Sequence, residues 1–196
     1  MSAASRSRGE RHLMTYVPTR AFLTRGAGKH SQKLASFEVA LRNAGIASLN
    51  LVRVSSIFPP HCKLIPKEKG LEQLQPGQIA HVVMSENAAN EPHRLMAAAI
   101  GVAIPRDRSN YGYLSEHHSF GESDEVAGEY AEDLAAHMLA TILGISKFDP
   151  DKSYNEEKDV WRLSGEIVKT RNVVQSAVSD KKGLWTTVIA AVILLP

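Results

Sequence analysis

Short runs of β-branched and apolar residues, about seven of them, fill most of this chain and are broken by only two stretches with helical spacing. Strands that are apolar on one face must bury that face against another layer. The pattern therefore predicts an α+β fold, a layered α/β/β/α sandwich of mainly antiparallel strands with about two main helices. At 196 residues with 43% hydrophobic side chains, the chain has apolar surface enough for one core, and a single domain over residues 15–196 is expected. Residues 1–14, rich in Ser, Ala and Arg, read as a disordered tail.

Residues 15–24 read as extended, ended by a turn at Gly26-Ala27-Gly28. Ser31 is placed to cap a helix whose Leu34, Phe37, Leu41 and Ala44 follow helical spacing, with Gly45 as its left-handed stop. Residues 46–58 are β-branched and alternating, a strand that stops at Pro59-Pro60 where backbone donors are lost. Residues 79–84, 95–104 and 111–118 read as further strands, although 96–99 also suits a helix. Ser123, Asp124 and Glu125 make an acidic start for the longest helix, in which Val126, Tyr130, Leu134, Met138 and Ile142 recur every four residues. Residues 149–158 read as a loop, and 161–178 with 184–195 as a closing strand pair around the turn at 180–183.

Positive and negative side chains nearly cancel at a net +2 and are interspersed, so neither a nucleic-acid partner nor a membrane surface is expected. The single cysteine, Cys62, allows no intrachain disulfide and no cysteine metal cluster, which fits a reducing cytoplasm. The longest apolar run, residues 188–195, is about half of what a membrane-crossing helix needs.

Three features carry chemistry: Ser55-Ser56 at the end of a strand, Glu116 in Tyr113-Leu114-Ser115-Glu116-His117-His118, and Glu38 on the first helix. On residue type alone, paired serines at a strand end are ordinary turn chemistry and Glu116 a solvated or paired strand residue. His117 and His118 point to opposite faces of a strand and do not readily share an ion, so no metal is expected. With Leu34 as reference, Glu38 falls near ~40° at ~100° per residue and borders the apolar stripe, either snorkelling to water or waiting for a cationic partner.

The segment Asn50-Leu51-Val52-Arg53-Val54-Ser55-Ser56-Ile57-Phe58-Pro59-Pro60 resembles the self-cleavage segment of pyruvoyl-dependent arginine decarboxylases. Residues 37–41 with 43–46 are similar to that family's first helix and turn, 113–116 to its acid segment, and 180–187 to the start of its C-terminal strand. The resemblance implies cleavage between Ser55 and Ser56, giving a small subunit of residues 1–55 and a large subunit of residues 56–196. The Ser56 hydroxyl attacks the Ser55 carbonyl, the peptide becomes an ester, and elimination with loss of ammonia leaves a pyruvoyl group on residue 56. That ketone forms a Schiff base with the α-amine of arginine and acts as the electron sink for carbon dioxide loss, giving agmatine. Glu116 takes the family's proton-donor position, and a raised pKa would suit that role. Asn50 matches an active-site asparagine that donates to the oxyanion or orients the scissile carbonyl; otherwise it is a buried strand amide.

Substrate binding is implied for Ile57 and for Glu38, whose carboxylate suits a bidentate guanidinium pair. The family has aspartate where this chain has Glu38, and the extra methylene bears on the strictness of the arginine preference. The family's assembly is a homotrimer, alone or paired into a hexamer. Asn50 and Ser56 would lie ~20 Å apart on a straight strand, so either a bulge folds the strand back or Asn50 serves the Ser56 of a neighbouring subunit.

Overall fold

A computed structural model of the chain describes residues 16–144, 154–155, 160–163 and 166–196. In chain order its elements are β1 (Arg20–His30), α1 (Lys33–Ala44), β2 (Asn50–Arg53), β3 (Ile57–Phe58), β4 (Lys63–Leu64), α2 (Lys67–Leu71), β5 (Ile79–Ala89), β6 (Leu95–Ile104), β7 (Gly112–Phe120), α3 (Asp124–Ile142), β8 (Tyr154–Asn155), β9 (Val160–Leu163), β10 (Glu166–Val178) and β11 (Trp185–Leu195). One sheet has the order β2-β5-β11-β1-β4 and the other β3-β7-β6-β10-β9-β8. Pairing is parallel at β2/β5 and β1/β4 and antiparallel elsewhere.

The expected four layers are present, and strand alternation builds them. On β11, Val188, Ala190, Val192 and Leu194 face the other sheet, where they meet Met96, Ile100, Val102 and Leu114. The intervening Ile189, Ala191, Ile193 and Leu195 face α1 and pack with Phe22, Ala40, Ala44 and Ile46. On the second sheet Ala97 and Ala99 meet Ala127 and Ala131 of α3, and Ala103 meets Ala135, Ala136 and Leu139. A strand covered on both faces carries no alternation, which is why residues 96–99 suited either state from sequence. All are strand.

Gly26 and Gly28 do not make a turn, because β1 runs through them to His30. They let α1 approach: a Cβ on Gly26 would stand 2.2 Å from the Ala40 carbonyl oxygen, and one on Gly28 2.2 Å from that of Ser36. The helix is tied down there by hydrogen bonds from Thr24 to the Ala44 carbonyl (2.6 Å) and between the Ser36 and Thr187 hydroxyls (2.7 Å). Its N-cap is Gln32, without a side-chain cap, and Gly45 closes it at φ 81° as expected. Leu34 is 79% exposed while Ser36, Ala40 and Ala44 are buried, so the stripe facing the sheet is made of small residues.

The same shift occurs on α3, where Ser123 caps the helix as expected but the buried residues are Ala127, Gly128, Ala131, Ala135, Ala136, Leu139 and Ala140. Val126 and Tyr130 are half exposed. The strand expected over 161–178 is a hairpin of β9 and β10, and β10 does not pair with β11, since the turn at 180–183 carries the chain from one sheet to the other. The loop expected over 149–158 lies outside the described residues except for β8.

Candidate active site

The expected single strand over residues 46–58 is two strands in different sheets. β2 pairs in parallel register with β5, from Asn50 opposite Ile79 to Arg53 opposite Val82, and Val54 still donates its N–H to the Val82 carbonyl (3.0 Å). Ile57 and Phe58 instead pair antiparallel with Tyr113 and Gly112 of β7, and Leu114 donates its N–H to the Ser56 carbonyl (2.9 Å). Ser55-Ser56 is therefore the crossover between the two sheets, anchored to one sheet at Val54 and to the other at Ser56. The chain bends at Ser56 to make the passage, and the Ser55 carbonyl accepts the Ile57 N–H at 2.9 Å.

Both walls of this corner are held. Arg53 pairs with Glu86 and donates to the Met84 carbonyl, fixing the end of β2 against β5. Where β3 stops, side chains of β5 reach β7 directly: Ser85 donates to the His117 carbonyl (2.6 Å) and Asn87 to the Ser119 carbonyl (2.8 Å). Glu116 lies on the same stretch of β7, on the face that Leu114 turns to the sheet interface. Its Oε1 accepts the Ser56 hydroxyl at 3.3 Å. Two residues sixty apart in sequence thus meet at the crossover. Glu116 is exposed in the single chain.

His117 points the other way, toward α3, with its ring 4.4 Å from Tyr130 and its Nε2 2.8 Å from Glu122. The hydrogen bond with His117 holds the Glu122 carboxyl below the usual carboxylate range. Among the described residues no set of three or more potential metal ligands is gathered.

Asn50 and Glu38 are not part of this corner in one chain. The regular β2/β5 register excludes a bulge between Asn50 and Arg53, and the extended chain puts Asn50 about 13 Å from Val54. The Asn50 amide is exposed and donates to the Gly77 carbonyl (2.7 Å), so it is not the buried strand amide of the alternative reading. Glu38 lies on the outward ridge of α1, about 160° from Ala40 at the centre of the buried stripe at ~100° per residue. It is bonded at 2.5 Å to Arg42 one turn on.

Beside the crossover a cavity of about 430 Å³ is lined by Val54, Ser55, Ile57, Pro59, Tyr16 and His81, among others. Tyr16 and His81 form its polar wall, with the Tyr16 hydroxyl 3.0 Å from His81 Nδ1 and the rings edge-on at 5.6 Å. Sequence reasoning missed this pair, and only the parallel β2/β5 register, which sets His81 opposite Val52, brings it near.

The fold and site together are a two-sheet sandwich whose crossover presents a serine pair to a carboxylate. The family model for pyruvoyl-dependent arginine decarboxylase matches residues 20–196. A probable pyruvoyl-dependent arginine decarboxylase of Chloroherpeton thalassium is 60% identical over 183 residues, 93% of this chain and all of the relative. Pyruvoyl-dependent arginine decarboxylase 2 of Methanosarcina mazei is 56% identical over 179 residues, 91% of this chain and 97% of the relative. The pyruvoyl-dependent arginine decarboxylase of Nitrosopumilus maritimus is 53% identical over 183 residues, 93% of this chain and all of the relative. The chain belongs to the pyruvoyl-dependent arginine decarboxylase family.

Proposed function

We propose that this chain cleaves itself between Ser55 and Ser56, and that the product decarboxylates L-arginine to agmatine. The observation that carries the reading is the crossover itself, where an accessible Ser56 hydroxyl is held 3.3 Å from Glu116 and the scissile Ser55 carbonyl is fixed on both sides by backbone anchors. In self-cleavage the Ser56 Oγ forms a bond to the Ser55 carbonyl carbon as the C–N bond breaks. The hydroxyl proton ends on the departing nitrogen, and Glu116 is placed to carry it. The ester then loses the Ser56 Cα proton, its Cβ–Oγ bond breaks, and the Ser55 carboxylate departs. Water replaces the remaining nitrogen, which leaves as ammonia.

Residue 56 fits a pyruvoyl group, since it sits at a bend rather than inside a ladder and its neighbours Ser55 and Ile57 line a cavity of about 430 Å³. A pyruvoyl ketone supplies an electrophile for the substrate amine and an acceptor for the electron pair released with carbon dioxide. Glu116 then stands beside that carbon to return a proton. Ile57, exposed at the cavity wall, contacts the substrate.

Glu38 and Asn50 reach the site of a neighbouring copy in a homotrimer, alone or paired into a hexamer, rather than that of their own chain. The distance of Asn50 from the crossover and the outward direction of Glu38 support this, and a head-to-tail ring repeats one such contact three times. An exposed helical pair such as Glu38–Arg42 is worth only ~0.3–0.5 kcal/mol, so a substrate guanidinium displaces Arg42 at little cost. The enzyme works in the cytoplasm. The purified chain incubated with L-arginine should release carbon dioxide and agmatine, with L-lysine and L-ornithine turned over far more slowly. A verified cleaved chain that prefers another amino acid would overturn the substrate assignment.

A further inference from the structure

We propose that the backbone N–H of Ile57 is the donor that stabilises the oxyanion formed on the Ser55 carbonyl during self-cleavage. The proposal rests on the self-processing reading and adds to it the group that lowers the barrier of its first step.

On the edge of a sheet the N–H groups that point away from the neighbouring strand have only water as a partner. β3 is such an edge, with β7 on one side only. Leu114 holds the Ser56 carbonyl toward β7. In a trans peptide the C=O and N–H point in opposite directions, so the same anchor turns the Ile57 N–H outward. There it meets the Ser55 carbonyl at 2.9 Å instead of water. The bend at Ser56 folds the scissile carbonyl back onto this donor, and the Val54 bond to Val82 keeps it from swinging away.

When the Ser56 Oγ bonds to the Ser55 carbonyl carbon, the C=O π pair moves onto the carbonyl oxygen and the carbon becomes tetrahedral. Collapse returns that pair as the C–N bond breaks, and the nitrogen takes the proton that left Oγ. Charge on the carbonyl oxygen exists only between these events. A donor already aimed at the oxygen strengthens as the charge grows and needs no rearrangement. Asn50, the other candidate donor, is engaged with Gly77 at the far end of β2. In the single chain the Ile57 N–H is therefore the donor at hand, and Glu116, on the nucleophile side, is bonded to Oγ rather than to the carbonyl.

The test removes one hydrogen-bonding group and keeps the side chain. Residue 57 is replaced by the α-hydroxy acid with the isoleucine side chain, through stop-codon suppression, so that an ester oxygen stands where the N–H was. Appearance of the 1–55 and 56–196 fragments is followed by intact mass, which separates a 55/56 cut from hydrolysis of the new ester at 56/57. Processing is expected to slow about 100-fold or more; a rate within twofold of the unmodified chain overturns the proposal. An unmodified chain that stays at a single mass would instead remove the self-processing reading. Because the ester could disturb the crossover, the same bond is read independently by hydrogen exchange on the uncleaved Ser56→Ala chain. There the Ile57 amide should exchange about tenfold or more slowly than a free edge amide, and exchange at the unprotected rate also overturns the assignment.

Discussion

Gly28→Ala tests whether the glycines of β1 are close-approach positions for the helix that carries Glu38. The added Cβ would lie 2.2 Å from the Ser36 carbonyl oxygen, 2.5 Å from the Ala40 nitrogen and 2.8 Å from the Val39 Cβ. Two of these atoms are helix backbone, which cannot rotate away as a side-chain tip can. Ordinary carbon–oxygen contact near ~3.2 Å requires α1 to lift by about 1 Å, and overpacking of this size costs ~1–3 kcal/mol. For a chain of this length each kcal/mol lowers Tm by ~2–4 °C, so scanning fluorimetry should show a fall of ~2–12 °C. Cleavage at Ser55-Ser56 should continue, since β5 and β7 hold the crossover without α1. The KM for arginine should rise, because a displacement of ~1 Å moves Glu38 off its partner. A Tm within a degree of the parent would refute the close-packing account of Gly28.

Glu116→Gln keeps a hydrogen-bond acceptor for Ser56 but has no proton to return. The variant should still reach full cleavage, more slowly, while decarboxylation falls by about two orders of magnitude or more in a turnover assay; near-normal turnover would remove Glu116 from the donor role. Glu38→Ala should cleave normally and lose most of its kcat/KM for arginine as the charge-assisted pair disappears, and an unchanged value would leave Glu38 as a partner of Arg42 alone. Co-expression of Ser56→Ala with Asn50→Ala chains should restore cleaved chain that neither gives alone. Trimers without any cleavage would place both residues' work within one subunit.

The layers were legible because strand runs and two helical periods survive any detail of packing, and the caps at Gly45 and Ser123 mark helix ends through local chemistry. Which helical face is buried was not legible. On α1 and α3 the sheet is met by Ser, Ala and Gly, while the larger Leu34, Val126 and Tyr130 stay at the surface, because close approach to β1 and β6 rewards small residues over hydrophobic ones. Helical spacing with Leu34 as reference puts Glu38 at the border of an apolar stripe, but Leu34 itself is exposed and the buried stripe runs through Ser36, Ala40 and Ala44, away from Glu38. At the site, Ser55, Ser56 and Glu116 could be named from the segment they sit in. The switch of sheets between Val54 and Ser56 could not, because an unbroken β-branched run gives no local sign of a change of partner. The distance of Asn50 from the crossover stands, because β2 is regular from Asn50 to Arg53 where a bulge was one of two expectations.

The central claim is that Ser56 becomes the reactive group, and intact mass spectrometry of the purified chain reads it directly. The account predicts two species, residues 1–55 ending in a free carboxylate and residues 56–196 about 17 Da lighter than a serine amino terminus would make them, the mass of the ammonia lost. Ser56→Ala should leave one full-length mass. A parent chain found as a single 196-residue species, or cut at 55/56 with an ordinary serine at the new terminus, would contradict the account.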